Sequence, residues 1–341
     1  MDSVTQLALG AAVGEAVLGR SVGNRAIVWG AICGTLPDLD VFVPMGSAVA
    51  DFTYHRSATH SIFVLTALTP LVVWLILKFH PGTIEHRTRW YLLVFLAFVT
   101  HPLLDCFTVY GTQIFWPLFD YPVSGSSVFI IDPAFTLPLL IGVISALVMT
   151  RESSRGHTIN TAGLVLGGAY LAWTVGAKLA LENSVASSLT RQGIVADRIL
   201  TTPAPFNSLL WRVVVMEQDG YYEGFRSVFD KSPDVRLTRY SSAPDLLRGI
   251  EQHWPVQRLQ WFTHGFYSVA LDGSYIVITD LRMGLEPDYV FSFNVAKLSN
   301  PHPLPLLGEH IGSGPGFGRL GWVWERIWSE AGDQEDTPAL Q

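Results

Sequence analysis

Charge is what this sequence has least of. Only 15% of its 341 residues are Asp, Glu, Lys or Arg, against roughly 25% in soluble domains, so a large part of the chain avoids water. The net charge is −7 and no stripe of Lys and Arg occurs anywhere, which argues against nucleic acid as a partner because phosphate binding needs clustered cations. Cysteine is almost absent. Cys33 and Cys106 both lie in apolar segments, and two such residues make no disulfide framework. The N-terminus carries Asp2 in place of a basic region, with no small-residue cleavage site after it, so a cleaved signal peptide is not expected. There is no Gly-x-Ser-x-Gly elbow and no phosphate-binding glycine loop, which sets aside serine-hydrolase and nucleotidase chemistry.

What is there is hydrophobic, at 49% of the chain. Four segments, 58–78, 90–108, 128–149 and 159–181, approach the length of about 20 apolar residues that a bilayer crossing needs. Two shorter Ala/Gly-rich stretches, 4–19 and 26–36, read as half-helices, re-entrant helices or a tilted pair packed through small residues. Lys78, Arg87 and Arg89 mark one loop, and Arg151 and Arg155 another, while 109–127 has no Lys or Arg. By the positive-inside rule the first two loops are cytoplasmic and 109–127 lies outside, with Pro37 to His55 and the C-terminal domain. Beyond about residue 200 the pattern turns to short strands, with Asp219-Gly220 and Asp272-Gly273 as hairpin turn signals. The expected fold is a mainly α polytopic membrane helix bundle of four to six membrane helices, followed by a soluble β-rich α+β domain. Its parts are a membrane domain over 1–182, a linker over 183–200, an extracytoplasmic domain over 201–328 and a disordered acidic tail over 329–341.

Ionisable residues at membrane segments are costly and by default functional. They gather in three places: Pro37-Asp38-Leu39-Asp40; His55-Arg56-Ser57-Ala58-Thr59-His60; and His101-Pro102-Leu103-Leu104-Asp105. Each has a plain structural reading, respectively a turn, an interfacial polar collar and a His–Asp packing bond. Together, Asp38, Asp40, His55, His60, His101 and Asp105 supply mixed nitrogen and oxygen donors that suit a divalent metal, zinc or else manganese or iron. His101 and Asp105, four apart, share one helix face. Three carboxylates with only Arg56 nearby leave a charge deficit that one or two divalent ions would fill. Glu15, midway in the first apolar stretch, is a costly carboxylate unless paired or protonated; it is a candidate ligand or general base. Arg56, Tyr110 and Gln113 are candidate substrate contacts.

The opening MDSVTQLALGAAVGEAVLG, then GTLPDLD, HRSATHS and HPLLDCFTVYGTQIFWP, resemble the YdjM-like family of membrane-bound metal-dependent hydrolases. The resemblance covers about 1–182, and TDLRMGLEPDYVFSFNVA is similar to the C-terminal extension of the longer members. The family resembles, more remotely, the zinc-dependent phospholipase C and P1-type nuclease group. That likeness implies roles for Asp38 or Asp40, for His55 or His60, and for His101 with Asp105; the chain lacks the further His-x-x-x-Glu of those enzymes.

These observations lead to a metal-dependent hydrolase of a bacterial or archaeal cytoplasmic membrane. Its site would sit at the extracytoplasmic face, and its substrate would be a lipid-like ester or phosphoester reached from the bilayer. Attack would come from metal-activated water, with Asp38, Asp40 or Glu15 as general base. Two rivals stand beside it: a transporter or metal-ion permease using the same His/Asp set, and a non-catalytic membrane scaffold with a structural metal site.

Overall fold

The computed structural model describes residues 1–149, 154–312, 318 and 320–330; Arg151 and the greater part of the expected acidic tail lie outside them. A helical N-terminal part is followed by a β-rich C-terminal part, as composition indicates. The chain divides into two compact units, Met1–Val43 with Arg56–Thr174, and Pro44–His55 with Val175 onward.

The first unit is built from helices. Asp2 starts α1 (Ser3–Gly14) by accepting from the Val4 and Thr5 backbone N–H groups, two of the donors a helix start leaves unpaired. A π-helical turn over Glu15–Gly19 and the short α2 (Arg20–Val22) lead to α3 (Asn24–Thr35). The chain tightens into a 3-10 turn, Leu36–Phe42, where Pro37 interrupts the helical pattern. After a second 3-10 turn, Ala58–His60, come α5 (Ile62–Phe79), α6 (Arg87–Asp105) and α7 (Pro133–Val148), and α8 (Arg155–Gln192) completes the unit through its residues to Thr174. The remaining helix of this stretch, α4 (Ala48–Tyr54), belongs to the second unit.

Helices α1 and α3 run antiparallel in backbone contact. A Cβ at Gly10 would collide with the Gly30 carbonyl oxygen, one at Gly14 with the Ala26 carbonyl, and one at Gly30 with the Gly10 carbonyl. Both helices carry the Gly-x-x-x-Gly spacing that lets membrane helices approach this closely, so the two stretches 4–19 and 26–36 pack through small residues. α1 also packs on α6 and α7, around Ala8, Ala12, Leu104, Phe135 and Leu139.

Fewer of the described helices than expected meet the length and hydropathy of a bilayer crossing. Among the described residues, Ile62–Phe79 and Arg155–Gln192 are long and apolar enough to cross a bilayer. The segment expected over 128–149 starts as helix only at Pro133, because Asp132 caps it there through the Ala134 and Phe135 N–H groups, and 16 residues remain. α6 is diluted by Arg87, Arg89, His101 and Asp105. On α5, Phe63, Leu71, Trp74 and Phe79 are exposed, an apolar face of the kind that marks contact with lipid or protein.

The expected linker over 183–200 is helix for most of its length, since α8 runs unbroken to Gln192. Ala177, Leu181, Val185 and Leu189, spaced by four, form one stripe of α8 buried against Trp211, Val213 and Val215; this packing is why the helix does not stop at the composition boundary. In the second unit, β1 (Arg198–Pro203), β2 (Leu210–Glu217), β3 (Gly220–Ser227) and β4 (Leu237–Ser241) form an antiparallel sheet in sequence order. After α9 (Trp254–Phe262) come β5 (Tyr267–Asp272), β6 (Tyr275–Asp280), the short pair β7 (Gly284–Leu285) and β8 (Asp288–Tyr289), then β9 (Ser292–Lys297) and β10 (Leu304–His310). The second sheet has the order β10-β9-β6-β5, and α10 (Leu320–Trp328) closes the described chain. Both expected hairpins form. Glu217 pairs with Gly220 and Asp272 with Tyr275, so the two-residue loops are Gln218-Asp219 and Gly273-Ser274. Gly273 takes the positive φ of +57° that its turn requires.

The core of this unit holds polar pairs. Arg212 donates to Glu223 (Nε–Oε2 2.8 Å), Tyr289 donates to the same carboxylate (3.1 Å), and Tyr221 donates to Glu286 (2.6 Å). Arg282 and Asp280 pair with each other, Nη2–Oδ2 2.7 Å, which accounts for both residues locally. Burial raises both tyrosines above their ordinary pKa; the neighbouring phenol and Glu286 add to this at Tyr221, while at Tyr289 Arg212 opposes it. Two outcomes follow. Gly10→Val should destabilise the helical unit by about 1–3 kcal/mol or more through overpacking, whereas Gly168→Ala, with open space around it, should be neutral or stabilising by up to about 1 kcal/mol; thermal unfolding in detergent checks both. A phenol raised in the folded state contributes stability that is complete below its unfolded pKa of about 10 and is lost as pH rises above it. Unfolding of the second unit should therefore become easier above about pH 10, and less steeply in Tyr221→Phe/Tyr289→Phe.

Candidate metal centre

Four side chains from three separate elements converge in the first unit. The 3-10 turn after α3 supplies Asp38, the turn Ala58–His60 supplies His60, and the end of α6 supplies His101 and Asp105. One donor atom from each lies within 4.8 Å of all the others. Asp38 Oδ1 is 3.3 Å from His60 Nε2 and 3.4 Å from His101 Nε2. Asp105 Oδ2 is 3.3 Å and 3.6 Å from the same two nitrogens, which are themselves 3.1 Å apart. A tetrahedral ion with bonds of about 2.0–2.1 Å spaces its donors by roughly 3.3 Å, so these separations match the edges of such a coordination shell.

Hydrogen bonds behind the imidazoles decide which nitrogen faces inward. His101 Nδ1 is 2.7 Å from the Gly34 carbonyl oxygen. A carbonyl only accepts, so Nδ1 carries the proton and Nε2 is left as a donor atom for a metal. His60 is fixed through two steps. Thr59 Oγ1 donates to Asp40 Oδ2 at 2.7 Å, which uses its one hydrogen, and it lies 3.0 Å from His60 Nδ1. The hydroxyl therefore accepts from Nδ1–H, and His60 too offers Nε2. Such outer partners orient metal-binding histidines.

Asp40 thus stands behind the cluster. Its Oδ2 also accepts the Arg56 backbone N–H at 3.1 Å and is 4.0 Å from His60 Nδ1; it holds the 56–60 turn and supports His60. Arg56 is buried beside Asp105, Nε–Oδ2 3.5 Å. It donates from Nη1 to Thr108 (3.3 Å), and its guanidinium lies 5.0 Å from the Tyr110 ring centroid. Tyr110 therefore borders the cluster through Arg56. Gln113 ties in through its backbone, donating to the Arg56 carbonyl at 2.9 Å. The Met1 amino group pairs with Asp105 Oδ1.

Two expected site residues do not join. His55 ends α4, which groups with the second unit; there Thr53 accepts from Arg258 Nε at 2.9 Å and Tyr54 lies under the same guanidinium. The left-handed Arg56, φ +63°, turns the chain between the two histidines, and His60 is the one that belongs to the group of four. Glu15 lies nine residues along the helical path from Gln6, about 13 Å at the helical rise. Its Oε1 is 3.5 Å from His157 Nδ1, and Gly19 leaves the carboxylate room where a Cβ would collide with it.

Sequence reasoning passed over Gln6, Thr59 and Gly34. Gln6 is 1% exposed and donates from Nε2 to Asp105 Oδ1 (3.0 Å) and to the His101 carbonyl (3.2 Å). Its signal was a lone amide in an apolar helix. Cys33 is buried among the apolar side chains of the same unit, which suits a core residue and not a thiolate ligand. Asp40→Ala should cost about 1–3 kcal/mol by orphaning its donors. Thr59→Val should cost a similar amount, about 1–3 kcal/mol, by orphaning His60 Nδ1–H, and should weaken divalent-ion uptake about 10–100-fold; calorimetric metal titration beside thermal unfolding checks the pair.

The chain is 24% identical over 232 residues to the uncharacterized protein YfhP of Bacillus subtilis (strain 168), covering 66% of this chain and 68% of that protein. No solved structure matches it. The family model described as YdjM inner membrane protein matches residues 1–181, a stretch that contains all four converging side chains. This chain belongs to the YdjM inner membrane protein family.

Proposed function

We propose that the protein is a membrane-bound metal-dependent hydrolase acting on a lipid-like ester or phosphoester. The observation that carries this reading is the set of tetrahedral-edge separations among Asp38, His60, His101 and Asp105, with both imidazoles presenting Nε2. Zinc suits this donor set, with manganese as the alternative. Four donors suffice for one ion, and the second ion considered for the six-residue set loses its support. A bound divalent ion would supply Lewis acidity and lower the pKa of water toward neutrality.

The chain's own residues would do the rest. Asp38, with 18% of its side chain exposed against none for the other three, marks the side from which a substrate arrives. It is also the one of the three candidate general bases that keeps its place at the site, since Asp40 supports His60 and Glu15 meets His157. Arg56 beside Asp105 offers positive charge to an anionic group. Leu39, Val41 and Phe42, in the same turn as Asp38, are 51%, 65% and 80% exposed; apolar side chains so placed suit a substrate that keeps its tails in the bilayer. The loop charges favour a face outside the cytoplasm, and this reading has further helices of the bundle crossing beside α5 and α8.

The scaffold reading draws on one specific observation: four protein donors can close a tetrahedral shell, as structural sites do. The exposure of Asp38 argues for an openable side. A permease needs polar groups through the membrane depth, yet between Gln6 and Glu15 the buried residues of α1 are Ala8, Leu9, Gly10, Ala11, Ala12, Val13 and Gly14.

Metal content of the detergent-purified protein, wild type beside His101→Ala/Asp105→Ala, tests the reading. About one equivalent of zinc or manganese in wild type, absent from the double variant, is the expected result, followed by metal-dependent cleavage of phosphoester lipids in mixed micelles. A wild type that neither carries nor takes up either metal would sink it. Metal without cleavage of any ester or phosphoester lipid would leave the scaffold reading in its place.

A further inference from the structure

We propose that Gln6 is the positioning residue of this centre, fixing Asp105 so that it offers a metal only one oxygen, Oδ2. The inference rests on the metal-binding reading above and concerns how the site is built. The two oxygens of Asp105 have different surroundings. Oδ1 accepts from Gln6 Nε2 at 3.0 Å and pairs with the Met1 amino group. Oδ2 is buried with no hydrogen-bond partner among the described residues, and it is the oxygen that faces His60 and His101. A carboxylate with both oxygens free can bind an ion through one or through both; one oxygen held by an amide N–H is held away from the ion.

The other bonds of Gln6 make this hold rigid. The same Nε2 donates to the His101 carbonyl, so one amide grips two successive turns of α6. Its backbone is fixed as well, because a Cβ at Gly34 would press on the Gln6 carbonyl, and Gly34 is the residue whose own carbonyl orients His101. Gln6 therefore links the orientation of both α6 ligands to the α1–α3 contact. Its Oε1 is buried with no hydrogen-bond partner among the described residues. Packing alone would not select a glutamine here, since an apolar side chain of the same volume would leave no acceptor orphaned. An acceptor held next to the ligands suits a hydrogen-bond donor that arrives with the ligand shell, such as water.

The test uses the full-length protein in detergent, loaded with cobalt(II) alone, whose visible spectrum reports coordination number. Gln6→Leu and Gln6→Met remove the amide and keep the bulk. Thr5→Ala, one residue away and equally buried, is the packing control. Wild type should bind cobalt with an intense four-coordinate spectrum. Both Gln6 variants should bind about 10–100-fold more weakly and show the weaker absorption of a higher-coordinate ion, as Asp105 swings to use both oxygens. Thr5→Ala should lower the melting temperature and leave affinity and spectrum at wild-type values. Gln6 variants matching wild type in both readouts would overturn the positioning role and leave the metal site standing. A wild type that binds no cobalt, zinc or manganese would overturn the metal reading, and this inference with it. If Gln6→Leu fails to fold, Gln6→Met is read by the same criteria.

Discussion

The contact between α1 and α3 is the constraint on which the rest of the helical unit depends. Two backbones approach until the carbonyl of Gly30 occupies the space a side chain would need at Gly10, and Gly10 does the same to Gly30. Helices gain little from apolar burial against each other inside lipid, so close packing of small residues supplies much of the attraction. The consequence is positional. Gly34 ends this contact two residues before the chain tightens at Leu36–Phe42, and from there its carbonyl reaches His101 while Asp38 comes round to face both histidines. Gln6, on the opposite helix, meets α6 at the same level. One interhelical contact thus sets three of the elements that meet at the centre.

Electrostatics explains why those elements need each other. Two Nε2 lone pairs and two carboxylate oxygens facing one another at 3.1–3.6 Å repel unless something positive is shared among them. The hydrogen bonds from His101 to Gly34 and from His60 to Thr59 fix the tautomers that create this repulsion. A protein built for stability alone would let one imidazole turn and donate to a carboxylate. Here both are held from behind, with Asp40 engaged as the final acceptor on the His60 side.

Much of this was legible in the sequence, and the residues that were not share a cause. His101 and Asp105 could be paired from helical spacing alone, and Asp38 and His60 from their rarity at membrane segments. The same rule over-collected. It took the run His55 to His60 as continuous, whereas a left-handed Arg56 interrupts it and α4 packs with α9 and β10. It took Glu15 because hydropathy reports that a carboxylate is buried and not which partner it meets; the partner, His157, is 142 residues away. It missed Thr59 and Gly34 because a hydroxyl and a backbone carbonyl carry no charge signature. Helix ends were misread for a related reason. Hydropathy spans 128–149, yet an Asp-Pro cap starts α7 at Pro133, and α8 outlasts its apolar segment because a stripe of Ala, Leu and Val finds a sheet to bury against.

The charge left at the centre bears on what it could receive. Asp38 and Asp105 bring two negative charges among the four donors, and Arg56, buried against Asp105, returns one positive. The set alone therefore attracts cations and repels an anionic headgroup. A divalent ion reverses that sign, turning a net charge of one negative into one positive. With an alanine at position 56 the same ion would only reach neutrality, since the two carboxylates would cancel it. Arg56 weakens the site's hold on a cation, because like charges nearby disfavour each other, and in return makes the occupied site attractive to an anion. A purely structural metal centre gains nothing from that exchange, which is the charge argument behind the anionic substrate proposed above.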